Sequence, residues 1–91
     1  MANPQIIACP KDVWTKVASG VTGGQIYARN NLADYFITYR TAGFTPAPPN
    51  GDVSEGVLMN KTGVGTILSF AAAVDVYVAC TREAGEVRAD L

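Results

Sequence analysis

Val74-Asp75-Val76-Tyr77-Val78-Ala79-Cys80-Thr81 is the stretch that decides the fold class. Its apolar residues recur with a period of two: Val74, Val76, Val78 and Cys80 share one face, and Asp75, Tyr77, Ala79 and Thr81 share the other. That alternation, with three β-branched valines, is the signature of a β-strand rather than a helix. Upstream, Ala71 to Ala73 supply at most one helical turn before the strand begins. Downstream, Ala84-Gly85 reads as a tight turn, with Glu86 to Leu91 returning as a hairpin strand.

The rest of the chain reads the same way. Asp34 to Thr41 carries Tyr35, Phe36, Ile37, Thr38 and Tyr39, aromatic and β-branched residues suited to a pleated surface. Val13 to Val17 and Gln25 to Arg29 read as two strands divided by turns at Ser19-Gly20 and Gly23-Gly24. Val57 to Asn60 is a short strand, Lys61 to Gly65 a glycine turn, and Thr66 to Phe70 leads into the long strand. The expected fold is all-β: a small antiparallel β-sandwich or barrel of about seven short strands.

Ninety-one residues make a single domain, 1–91. With 48% apolar residues the chain can build a core without metal or disulfide support. Two segments stand apart. The N-terminal residues 1–10, with Ile6 and Ile7 ahead of Pro10, read either as a first strand or as an arm that adds to a neighbour's sheet edge. The loop 44–56 contains Phe44, Pro46, Pro48 and Pro49, a stiff apolar surface suited to docking on a neighbour or to folding back over its own sheet. Ile6, Ile7, Phe44, Pro46, Pro48 and Pro49 are therefore the candidate partner interface.

Charge and composition exclude several function classes. Seven basic and eight acidic residues nearly cancel, and the cations are scattered, whereas phosphate neutralisation needs them clustered. No nucleic-acid partner is expected. The most apolar run, Val64 to Cys80, is interrupted by Gly65, Thr66, Ser69 and Asp75 and falls short of the ~20 apolar residues that span a bilayer. Neither a membrane partner nor a secretory signal is expected. Charged residues total 16%, a light surface charge that hints at self-association or a place in a larger assembly.

Catalytic machinery is not visible. There is no histidine, which removes the usual general base and the commonest zinc ligand. Neither Cys9 nor Cys80 has a second cysteine nearby in sequence; both read as small core residues, with a bridge or redox role as the alternative. The expectation is no enzyme, no catalytic residue, no cofactor and no metal. Asp75 has two readings: an outward strand residue that aids solubility, or a buried carboxylate paired with Arg40 or another arginine across strands.

The pattern of an apolar strand through Ala73-Val74-Asp75-Val76-Tyr77-Val78, an Ala-Gly turn and Glu86-Val87-Arg88-Ala89-Asp90-Leu91 carries a resemblance. Together with Trp14-Thr15-Lys16-Val17-Ala18 and the glycine turn after it, it resembles small β-sandwich virion proteins of tailed bacteriophages, of the capsid decoration or cement type. That resemblance implies a structural protein synthesised in a bacterial host cytoplasm and located in the virion. The partners it implies are the major capsid protein or other virion proteins, and it implies a homo-oligomer, a trimer favoured. The alternative is a tail- or fibre-associated host-recognition or connector module, with Tyr27, Tyr35, Tyr39 and Tyr77 available for a binding patch.

Overall fold

A computed structural model of the protein describes residues 5–29, 33–42, 54, 56–58 and 65–90. It contains strands β1 (Gln5–Cys9), β2 (Thr15–Ala28), β3 (Asp34–Thr41), β4 (Val57–Leu58), β5 (Thr66–Thr81) and β6 (Gly85–Asp90). They form one antiparallel sheet in the order β1-β6-β2-β5-β3-β4. The all-β class is as expected; the sandwich or closed barrel is not, because the six strands lie in a single open sheet.

Among the described residues, two strands expected on either side of the glycine pairs are one. Ser19-Gly20 and Gly23-Gly24 do not reverse the chain. They sit inside β2, which runs continuously past both. The register against β5 slips between Lys16 and Ala18, between Ala18 and Val21, and again between Val21 and Gly23. Each slip is a bulge, and bulges bend a strand while keeping it in the sheet. Gly20 takes φ +64°, a left-handed conformation that glycine adopts without steric cost. Likewise Ala71 to Ala73 form no helical turn but continue β5, on the stretch where β5 advances from Ser69 to Val74 while β2 runs back only from Gly23 to Val21.

The end of the chain also differs from expectation. Arg82 and Glu83, not Ala84-Gly85, form the bend after β5, with Arg82 at φ +74°. β6 does not pair back with β5; it crosses to lie between β1 and β2, with Val87 opposite both Ile7 and Ala28. Gly85 is the first residue of β6, and its role is space rather than turning. A β-carbon there would run into the Tyr35 hydroxyl.

The sheet curls about its concave face, and the core fills that face. Val17, Ile26 and Ala28 of β2, Tyr35 and Ile37 of β3, Val74, Val76, Val78 and Cys80 of β5, Val87 and Ala89 of β6, and Cys9 of β1 form one buried cluster. Burying each valine or isoleucine here contributes roughly 1.5–3 kcal/mol, the largest favourable term available to so small a domain. The curl brings β3 to β6 although two strands separate them in the sheet: the Glu86 backbone N–H donates to the Tyr35 hydroxyl at 3.2 Å. At the same end, Lys11 bridges Cys80 and the Asp12 N–H donates to the Cys80 carbonyl at 2.8 Å. The opposite face of β5 is covered too, since Tyr77 and Ala79 are buried with Trp14 and packed against Phe36.

Candidate functional site

The sheet ends at β1 on one side and β4 on the other. Among the described residues, β1 has only β6 beside it in the sheet, and β4 has only β3, through Phe36 opposite Leu58 and Ile37 opposite Val57. End strands present backbone N–H and C=O groups to whatever comes alongside, and natural proteins blunt them with charge, proline or bulges. β1 reads Gln-Ile-Ile-Ala-Cys and pairs with β6 without a slip, so it carries none of these devices.

Apolar side chains accompany both edges. Ile6 is 56% exposed on β1, and Val57 and Leu58 are 69% and 61% exposed on β4. Ile67, on the half of β5 beyond the β3 register, is exposed as well. Isolated exposed apolar residues are ordinary, but clustering at strand edges is the arrangement that strand addition uses.

The six candidate interface residues divide accordingly. Ile6 points outward and is available. Ile7, one position on, turns inward and packs against the core. Phe44, Pro46, Pro48 and Pro49 lie outside the described residues, as does most of the loop 44–56. Of the two readings of the N-terminal segment, Gln5–Cys9 is a first strand of its own sheet. Sequence alone does not single out Val57 and Leu58, although two adjacent large apolar residues in a short strand are the available signal.

The four tyrosines are not brought together. Tyr35 faces the core and Tyr77 is buried on the other face of the sheet. Tyr27 is half-buried beneath the Arg88 guanidinium, 5.8 Å from the ring centroid, and its hydroxyl donates to Gln25 Oε1. Tyr39 is exposed and tilts against Phe70 at 4.9 Å between ring centroids.

Among the described residues, Asp75 is an acid with several partners. It is 7% exposed, so the outward, solubilising reading is wrong and the buried, paired reading is right, with a different partner from the arginine expected. Arg40 stands opposite it in the register, and its guanidinium donates to the Tyr39 carbonyl. The Asp75 carboxylate accepts from the Gly20 N–H at 3.0 Å and the Ser19 hydroxyl at 3.1 Å, and meets Lys16 Nζ at 3.5 Å. The bulge in β2 turns the Gly20 N–H out of regular ladder pairing, and the carboxylate takes it up. These contacts, led by the Gly20 N–H, hold the Asp75 carboxyl below the usual carboxylate range. The role this geometry supports is to fix the bend.

Among the described residues no group of three or more His, Cys, Asp or Glu side chains is placed to hold a metal ion. No helix of the described residues is long and apolar enough to cross a membrane. Comparison with family models, curated proteins and solved structures finds no match to this chain.

Proposed function

We propose that this protein is a structural component of a tailed-phage virion, a capsid decoration or cement protein that stabilises the head lattice. The observation that supports the reading best is the pair of sheet edges, β1 and β4, bordered by exposed Ile6, Val57 and Leu58. A lattice-binding protein needs modest contacts repeated many times, because many copies supply avidity. Its partners are the major capsid protein or other virion proteins, and it acts as a homo-oligomer. A trimer closed through unlike edges, β1 of one copy beside β4 of the next, would match a threefold site on a shell.

The alternative, a tail- or fibre-associated host-recognition or connector module, asks for aromatic and polar groups converging in a concavity. The dispersal of the four tyrosines over both faces makes it the weaker reading.

Edge charges test the proposal. Ile6→Lys and Leu58→Lys sit at exposed positions, so each is expected to leave the melting temperature within about 3 °C of the parent. Each is expected to lower occupancy on purified particles about tenfold or more, because a charge in a desolvated strand edge opposes pairing. Parent-like occupancy for both variants would contradict edge-mediated assembly.

A further inference from the structure

Two thiols meet where the curled sheet brings its first strand to the end of its longest. Cys9 ends β1 opposite Gly85 of β6, and the chain then crosses the end of β5, where Lys11 bridges Cys80. Both cysteines are buried, at 1% and 0% exposure, in the same cluster. The two thiols lie close enough for each to shift the other's ionisation, and the Gly85 N–H donates to the Cys80 sulfur. Cys9 Sγ is further placed 3.8 Å from the Ile7 carbonyl oxygen. Apolar packing alone does not require two thiols in one buried cluster at the same end of the sheet, and a pair so placed has a defined chemistry.

We propose that Cys9 and Cys80 are an oxidation site, at which an intramolecular disulfide forms when the folded chain passes from reducing to oxidising surroundings and ties edge strand β1 to β5. The oxidant is a low-molecular-weight disulfide such as glutathione disulfide. Cys9 is the entry point, because it lies on an edge strand held by a five-residue register, and fraying of that strand exposes it. Its thiolate attacks one glutathione sulfur, the glutathione S–S bond breaks, and one glutathione thiolate leaves. As β1 redocks, the Cys80 thiolate attacks the Cys9 sulfur and expels the second glutathione thiolate. The two protons lost by the cysteines end on the two glutathiones. The protein is oxidised by two electrons and glutathione disulfide is reduced by two.

In the reduced, docked pair the hydrogen bond with Cys9 and then the Gly85 N–H lower the Cys80 thiol from its ordinary range against the effect of burial. Once Cys9 is in the mixed disulfide it has no S–H to give, and the Gly85 N–H remains to favour the Cys80 thiolate. The hydrogen bond to Cys80 and then burial raise the Cys9 thiol, so the docked pair is inert until β1 opens. The bond closes a loop of about 70 residues, which restricts the unfolded chain strongly. It also fixes the strand that the proposed assembly edge depends on, although the inference itself stands on the thiols and not on the virion reading.

The test uses the full-length protein, reduced and then incubated with excess glutathione disulfide. The expected product is a monomer lighter by two hydrogens, with Cys9 and Cys80 peptides linked on non-reducing mapping. Its melting temperature should lie about 10 °C above the reduced form and return on adding dithiothreitol. Cys80→Ser should instead stop at a glutathione adduct on Cys9. Two thiols still open to alkylation in denaturant, a stable glutathione adduct on the parent chain, or linkage between molecules would overturn the proposal. So would a linked monomer that melts no higher than the reduced one. Mapping on the parent chain decides the matter even where the serine variant fails to fold.

Discussion

Replacing Gly85 with alanine is expected to destabilise the protein by about 3 kcal/mol, or some 15 °C in melting temperature. The new methyl would be driven into the Tyr35 hydroxyl and ring edge, in a region where both residues are buried. Either the ring leaves its place in the core or β6 moves away from β3, and both lose the Tyr35 hydroxyl bond to the Glu86 N–H. Tyr35→Phe alone is expected to cost about 1 kcal/mol, since the ring stays and one hydrogen bond goes. In the double variant the losses should fall short of their sum by about 1 kcal/mol, because the atom that meets the methyl first has been removed. Equilibrium denaturation of the four proteins measures this. Additive losses, or a neutral Gly85→Ala, would mean that β3 and β6 do not meet across the concave face.

Asp75→Ala is expected to lower the melting temperature by about 10 °C near neutral pH. It removes one carboxylate but strands three partners: the Gly20 N–H, the Ser19 hydroxyl and the Lys16 ammonium. Asp75→Asn, which keeps an acceptor oxygen and loses the charge, should fall between the parent and the alanine variant. The pH dependence follows from the direction of the shift. The folded protein holds this carboxyl below 3.8, its ordinary value, so the unfolded chain binds the proton first as pH falls. Its stabilising contribution is complete above about pH 5 and disappears as pH drops through the folded-state value. The parent should therefore lose stability more steeply than Asp75→Asn below about pH 4. Parallel acid limbs, or an Asp75→Ala variant within about 2 °C of the parent, would contradict the role given to this carboxylate.

These two sites also mark what was and was not legible in the sequence. The alternation through Val74 to Thr81 and the aromatic, β-branched run Asp34 to Thr41 identified β5 and β3 directly, because a strand buried against a core writes its period into its own residues. The glycine pairs misled. A glycine at positive φ serves a reversing turn and a bulge equally, and only the strand lying alongside decides which. Here the alongside strand is β5, some fifty residues away, so no local pattern at Ser19-Gly20 could show that β2 continues. Gly85 is the same difficulty from the other direction. Next to Ala84 it has the look of a turn residue, whereas its requirement is set by Tyr35, reached only through the curl of the sheet.

The candidate site was half legible. Apolarity marks both Ile6 and Ile7, but strand alternation turns one out and the other in, and only the register against β6 fixes the parity. Asp75 was recognisable as an anomaly in an apolar strand. Its partners were not, because Lys16, Ser19 and Gly20 come to it only when a bulge carries them over β5.

The proposed role as a lattice-covering virion protein is open to a direct count. Quantitative mass spectrometry of purified particles, with the major shell protein as the internal reference, gives its copy number. A ratio approaching one, on the order of hundreds of copies per particle, is expected, as repeated weak contacts on a symmetric shell require. A count of several to tens would place it instead at the neck, tail or fibre, and its absence from particles would contradict the virion reading altogether.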